Sequence, residues 1–403
     1  MFCFVEDLLI IEQSVILQFM QKRGIVMPQN QNISNYSIAS VLESAPWLPL
    51  EEHLNELRER VDSSIKKTHE LREQYRQELL TNNPELVSRI QRVSQQKMDQ
   101  AIKVFKNGTI AASDGTVAPV PLLAGSKIQV GVVVVSNRGD VVDLVTRVFE
   151  AELNNNASDA CQFFLNLRNT RSISNLLSRA IMLFGERRML IEHEADWRLL
   201  HGELVPHELR TGAGNPSQNL QPTFDLINSY IRTKQFIAVS EASDDIDILN
   251  AAILLQPGEF IVIRTMEDTL NIFLEGDQDT GQAAANFNLT HRQMFRSFIN
   301  SVGPEVAVVL VKAGPKPFLL ECHQDYVEDS VAIFLADSLW ARGLSTDGSA
   351  FTVRGFPFHI DLADQVAGTL FKSSDFRHFI EARLFELGLE AGLFDIDARR
   401  TRA

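Results

Sequence analysis

The sequence predicts an α/β protein: a mixed β-sheet flanked by helices, with an N-terminal helical arm and helical insertions. Three observations carry this reading. The hydrophobic period changes from helical to extended at Gly108, three runs rich in Val, Ile and Ala then follow one another across short turns, and beyond them helical and strand-like runs alternate.

Residues 1–26 are apolar, but Glu6, Asp7 and Glu12 interrupt the run, no basic segment precedes it and no small-residue cleavage site follows it. Neither a signal peptide nor a membrane anchor is expected. Met27 is an alternative start, which would make the leader a translation artefact. A Gln-, Asn- and Ser-rich linker around 29–38 completes a leader segment, 1–48. From Leu50 to about Leu80, Leu54, Leu57, Val61, Ile65, Leu71 and Tyr75 recur at helical spacing among dense charges, and Asn82-Asn83-Pro84 ends the pattern. A second helix is expected over about 84–105, so 49–106 forms the helical arm, a solvated charged hairpin in its simplest reading.

The third segment is 107–395. Strands are expected over 109–112, 127–136 and 140–149, separated by Gly, Pro and Asn-Arg-Gly-Asp turns, which suggests an antiparallel meander. A helix over 158–194 follows, with Leu176, Leu177, Ala180, Leu183, Phe184 and Met189 on its apolar side, then a strand over 197–205. Further strands are expected at 235–240, 259–264, 271–274, 306–312 and 317–321, and helices at 291–301, 327–340, 362–370 and 374–387. Meander, helix, strand and then more α/β is the order of an RNase H-like core with additions.

At 403 residues the chain has room for one elaborated domain or two. Hydrophobic residues at 45% and charged residues at 22% exclude a mostly disordered chain. The formal net charge of -14 repels nucleic acid overall, so any such binding requires a local basic groove or a partner. Cys3, Cys161 and Cys322 are far apart in sequence, which suggests neither a disulfide framework nor a CxxC metal knot and fits a reducing cytoplasm. Gly212-x-Gly214 lacks a following Lys-Ser/Thr and precedes Pro216, so a phosphate-cradling loop is not expected.

Isolated acids and imidazoles at strand ends are where a divalent-ion centre draws its ligands from distant parts of a chain. Asp114 follows an apolar strand and precedes Gly115, a residue that permits close approach of a ligand; Asp-Gly is also the commonest β-turn dipeptide, so a turn is the alternative. Ala-Ala-Ser-Asp114-Gly115-Thr116, followed by a Val-rich strand, resembles the Asp-Gly-Ser motif that opens the NurA nuclease domain. Gly185-Glu186-Arg187-Arg188 on a helix, then Leu200-His201-Gly202-Glu203-Leu204, is similar to that family's helix glutamate and its Asp-Gly-x-Leu motif. Gly355-Phe356-Pro357 and then Ala363-Asp364 resemble its Gly-Tyr-Pro segment leading into an Ala-His pair. The order and rough spacing agree from about residue 108 to 390.

The resemblance implies a metal-dependent DNA nuclease with Asp114, Glu186, His201 and Asp364 as ligands of Mn²⁺ or Mg²⁺. It also implies a homodimer that processes DNA ends together with a HerA-type hexameric ATPase. Where the family has aspartate this chain has His201, and where it has histidine this chain has Asp364. Both types bind divalent ions, and imidazole tilts the preference toward manganese. Glu203, two residues beyond His201 on an extended strand, would supply a further carboxylate on the same face. The exchanged positions also leave open a NurA-like subunit without catalysis, acting as an assembly or regulatory partner of the ATPase.

Other polar residues have plainer readings. Glu192, His193 and Glu194 read as a solvated helix end, and Asp347-Gly348-Ser349 as a loop turn. His207, Glu208 and Arg210 either reach a phosphate or solvate a loop. Glu241 and Asp244 stand where the family tends to carry a basic residue.

Overall fold

The computed structural model describes residues 39, 50–122, 125–138, 141–154, 160–241, 246–275, 284, 287–314, 316–344, 355–371 and 373–388. The leader, Asp244 and the Asp347-Gly348-Ser349 segment lie outside them, apart from residue 39.

Two compact units divide the chain, Met1–Glu73 and Gln74–Ala403. Helix α1, Leu50–Asn82, belongs to the first as far as Glu73. Within that unit Val61, Ile65 and Leu71 of the predicted apolar stripe are exposed.

The second unit holds the rest of α1, then α2 (Pro84–Ser88), β1 (Gln91–Arg92) and α3 (Gln95–Asn107). The single helix expected over 84–105 is therefore broken. Gln91 and Arg92 pair with a later strand opposite Phe260 and Glu259, and the helix restarts at Ser94, whose side chain caps the Lys97 N–H.

A meander follows: β2 (Thr109–Leu122), β3 (Gly125–Arg138) and β4 (Val141–Asn154). Helix α4 (Ala160–Glu192) crosses over to β5 (Trp197–His201), and the short α5 (His207–Arg210) and α6 (Pro216–Thr233) lead to β6 (Phe236–Glu241). The strands β4-β3-β2-β5-β6 lie side by side, with β5 parallel to β2 and β6 parallel to β5. This is the RNase H-like core arrangement, an antiparallel meander extended by two parallel strands. An antiparallel extension continues the sheet beyond β6. It comprises α7 (Ile246–Leu254), β7 (Glu259–Thr265), α8 (Met266–Glu275), α9 (Leu289–Val302), β8 (Val306–Lys312) and β9 (Pro317–His323). The full order is β1-β7-β8-β9-β6-β5-β2-β3-β4. Helices α10 (Val327–Leu344), α11 (Phe358–Leu370) and α12 (Ser373–Glu386) close the described chain.

Burial on both faces explains the unbroken Val run of β3. Ile128, Val130 and Val132 pack with Ile181 and Met182 of α4, while Val133 and Val135 pack with Ala363 and Ala367 of α11. On β2 the side chains alternate between two cores: Ile110 and Ala112 belong to the buried cluster that includes Phe105, Phe334 and Ile360, whereas Ala111 belongs to the one that includes Leu190. The strand expected at 271–274 is instead the end of α8. There Leu270, Phe273 and Leu274 bury one helical face, and Asp268 accepts from the Thr265 N–H at the helix start. Helices α5, α6 and α7 are additional to the sequence reading. Pro216 occupies the first turn of α6, where its missing N–H costs nothing, and Pro222 is carried inside the helix.

Candidate functional site

Asp114 lies within β2, paired across from Val133, with Gly115 across from Val132. The Asp-Gly pair is thus neither a turn nor a strand end. Its parallel neighbour is the shorter element: β2–β5 pairing stops at Ser113 and Leu200, and β5 ends at His201. Asp114 therefore stands where the sheet opens beyond the C-terminal end of a parallel strand, the position at which α/β sheets characteristically receive ligands.

His201 Nδ1 lies 3.3 Å from Asp114 Oδ2, and the other Asp114 oxygen accepts the Gly115 N–H at 2.8 Å. The His201 side chain is 45% exposed while that of Asp114 is 9% exposed, so the imidazole forms the open side of the pair. Glu186 arrives on α4 with its side chain only 2% exposed. A Cβ at Gly115 would fall 2.7 Å from Glu186 Oε1, so the carboxylate approaches the strand backbone as closely as only glycine allows. Glu186 Oε1 has no hydrogen-bond partner among the described residues.

Asp364 is on α11, near enough to Asp114 for the two carboxyls to act on each other electrostatically. Three features seat that helix. Gly355, at φ +71°, passes so close to the backbone of Gly314 that a Cβ would stand 2.6 Å from the Gly314 nitrogen. Phe356 sets its ring edge-on to His201 at 5.7 Å and packs on Phe318 at 5.2 Å, and Pro357 starts the helix. Next to it, the buried Asp337 accepts from His359 Nδ1 at 2.8 Å and from the His359 N–H at 3.3 Å.

Four side chains separated by up to 250 positions thus come together, three of them carboxyls. The electrostatics reflect this crowding. Burial pushes Glu186 up to about 8, and the nearby Asp114 adds to the shift against the pull of Arg187 and His201. Asp364 is exposed on its outer side, yet partial desolvation raises it, reinforced by the charge and close approach of Asp114. The hydrogen bond to Asp114 raises His201, against the opposing effect of burial. Carboxyls gathered with too little counter-charge, one of them with an orphaned buried oxygen, suit a hard divalent cation. Among the described residues no three His, Cys, Asp or Glu side chains already form an arrangement able to hold a metal ion.

The structure places Glu203 elsewhere. Because β5 ends at His201 and Gly202 turns at φ +81°, the same-face relation expected of a continued strand does not arise, and the Glu203 carboxylate pairs with Arg210. Of the remaining polar residues, Glu208 pairs with Arg179 at 2.9 Å, Glu192 with Arg188 at 2.7 Å and Glu241 with Lys316 at 2.6 Å.

Two buried groups that the sequence did not single out hold the turn after His201. Arg187 donates to the carbonyls of Glu203 and Leu204, and Glu321 accepts the Leu204 N–H at 2.6 Å. Burial, with the charge of Glu203 adding to it, raises the Glu321 carboxyl to about 7. In sequence, Arg187 differs from its neighbour Arg188 only in helical phase.

No protein-family model and no curated protein matches the chain. Among solved structures it is similar to the NurA nuclease from Sulfolobus solfataricus, at 10% identity and TM-score 0.41, covering 72% of this chain and 91% of that one. It is also similar to a structure of NurA bound to dAMP and manganese, at 9% identity and TM-score 0.44, covering 84% of this chain and 98% of that one. A further structure of NurA is similar at 9% identity and TM-score 0.45, over 82% of this chain and 97% of that one.

Proposed function

We propose that the chain is a metal-dependent DNA nuclease that processes DNA ends together with a HerA-type hexameric ATPase. The observation that carries this reading is the meeting of Asp114, Glu186, His201 and Asp364 at the end of β5, since these are the positions at which the sequence resembles the NurA motifs. They are the residues that would hold Mn²⁺ or Mg²⁺. The bound ion supplies an activated water and charge stabilisation for phosphodiester hydrolysis. The chain's own groups prepare the place: Asp114 orients the His201 imidazole, and Phe356 walls one side of it.

In this reading the chain acts as a homodimer, and the ATPase ring captures duplex DNA. The ring would thereby meet the objection raised by a net charge of -14. Among the described residues no helix is long and apolar enough to cross a membrane. The test is degradation of end-labelled DNA by the purified chain with Mn²⁺, with and without the ATPase, beside Asp114→Ala. Activity in wild type and its loss in the variant are expected; equal activity in both would sink the site.

One observation favours a second reading, a NurA-like subunit that has given up catalysis and serves the ATPase as an assembly or regulatory partner. The exchanged types at His201 and Asp364 accompany a cluster that does not yet form a metal-holding geometry among the described residues. Binding to the ATPase without DNA degradation under any divalent ion would select it.

A further inference from the structure

Arg187 is wholly buried, an unusual place for an arginine, and every nitrogen of its guanidinium is used. Nε donates to the Leu204 carbonyl at 3.0 Å, Nη1 to the Leu183 carbonyl at 3.0 Å and Nη2 to the Glu203 carbonyl. Nη1 also stands 3.5 Å from Glu186 Oε2. The peptide carbonyl of Arg187 in turn accepts from the buried Tyr230 hydroxyl at 2.6 Å, which ties the same turn of α4 to α6.

Glu203 and Leu204 lie in the turn that leaves β5 directly after His201. A single planar cation therefore spans from the residue beside Glu186 to the strand end carrying His201. Its five donors are set in a fixed fork, so it defines a separation between the elements that it joins; an ammonium on a flexible stem carries the same charge without that geometry.

We propose that Arg187 is a positioning residue for the cluster, fixing Glu186 relative to the strand end that bears His201. This goes beyond the nuclease reading and rests on it only where a metal ion is concerned. Charge alone and positioning have opposite consequences. As a mere positive charge Arg187 repels a divalent cation, and neutralising it strengthens ion binding. As a positioning group its loss weakens binding, because the ligands no longer meet.

The experiment uses the full chain, R187K and R187M, each checked for cooperative melting. Mn²⁺ affinity is measured by calorimetry, and the His201 imidazole ¹⁵N resonances are recorded in metal-free protein. Both variants are expected to bind Mn²⁺ about 10- to 100-fold more weakly, lysine giving little rescue, with displaced His201 resonances. Wild-type affinity and unmoved His201 resonances in R187K, or tighter binding by R187M, would overturn the proposal. Should R187M fail to fold, R187K decides alone. Failure of the wild type to take up Mn²⁺ would remove the metal reading, and the His201 resonances would then decide the positioning role by themselves.

Discussion

Gly115 and Glu186 occupy each other's space: a Cβ on the strand residue would lie 2.7 Å from the carboxylate oxygen of the helix residue. The second obstacle is the Met182 side chain at 2.8 Å. Both belong to side chains, which can shift, while the Gly131 carbonyl oxygen of β3 at 3.1 Å requires the strand pair to give by a few tenths of an ångström as well.

Gly115→Ala is accordingly expected to separate stability from ion binding. The strand conformation suits alanine, and the displaced groups can swing away, so the variant should lose no more than about 1–3 kcal/mol in urea unfolding. The Glu186 carboxylate, however, must move, and Mn²⁺ affinity by calorimetry should fall about ten-fold or more. Unchanged affinity would mean that Glu186 takes no part in holding the ion.

The buried Glu321 makes a prediction about pH. Its folded-state value of about 7 exceeds the ordinary 4.5, so the folded protein holds this proton more tightly than the unfolded chain. The associated stability is fully present below pH 4.5 and is lost as pH rises through 7, a loss on the order of 3 kcal/mol at most. In Glu321→Gln the amide oxygen still accepts the Leu204 N–H and nothing ionises. Thermal melting of metal-free protein at pH 5 and pH 8 should show wild type losing several degrees on going to the higher pH and the variant losing less. An identical loss in both would place the pH dependence elsewhere, the similarly raised Glu186 being the next candidate.

Much of the frame was legible because burial writes itself into composition. The Val-rich run of β3 announced a strand of the meander, and the order of meander, helix and strand announced the core; that β3 is covered on both faces emerges from the packing. Legibility failed where a local pattern serves two geometries. Asp114-Gly115 spells a turn yet lies mid-strand, since the reason for its glycine is a helix glutamate distant in sequence. The apolar residues at 271–274 fit a strand but complete a helical face begun at Leu270. Glu203 shares the face of His201 only on a strand that continues past β5, and the turn at Gly202 takes its carboxylate to Arg210 instead. Nothing in Glu186-Arg187-Arg188 distinguishes the arginine that is buried from the one that is exposed until the helix has a face against the sheet.

The seating of Asp364 gives the last prediction. Asp337 is completely buried and faces two donors of one residue, the His359 Nδ1–H and its backbone N–H, in the first turn of the helix that carries Asp364 five positions later. Asp337→Ala strands both donors away from water, and a buried donor left without its acceptor costs about 1–3 kcal/mol. Asp337→Asn keeps an acceptor for one of the two and should cost less. Because Ala363 and Ala367 still dock α11 on Val133 and Val135, the helix should survive in both variants with its first turn loosened. Urea unfolding gives the ranking, with alanine below asparagine below wild type. Hydrogen exchange of the first-turn amides should follow the reverse order, slowest in wild type and fastest in the alanine variant, because the His359 N–H has lost its buried acceptor. If exchange there stayed at the wild-type rate while global stability fell, Asp337 would support the core without governing where Asp364 sits.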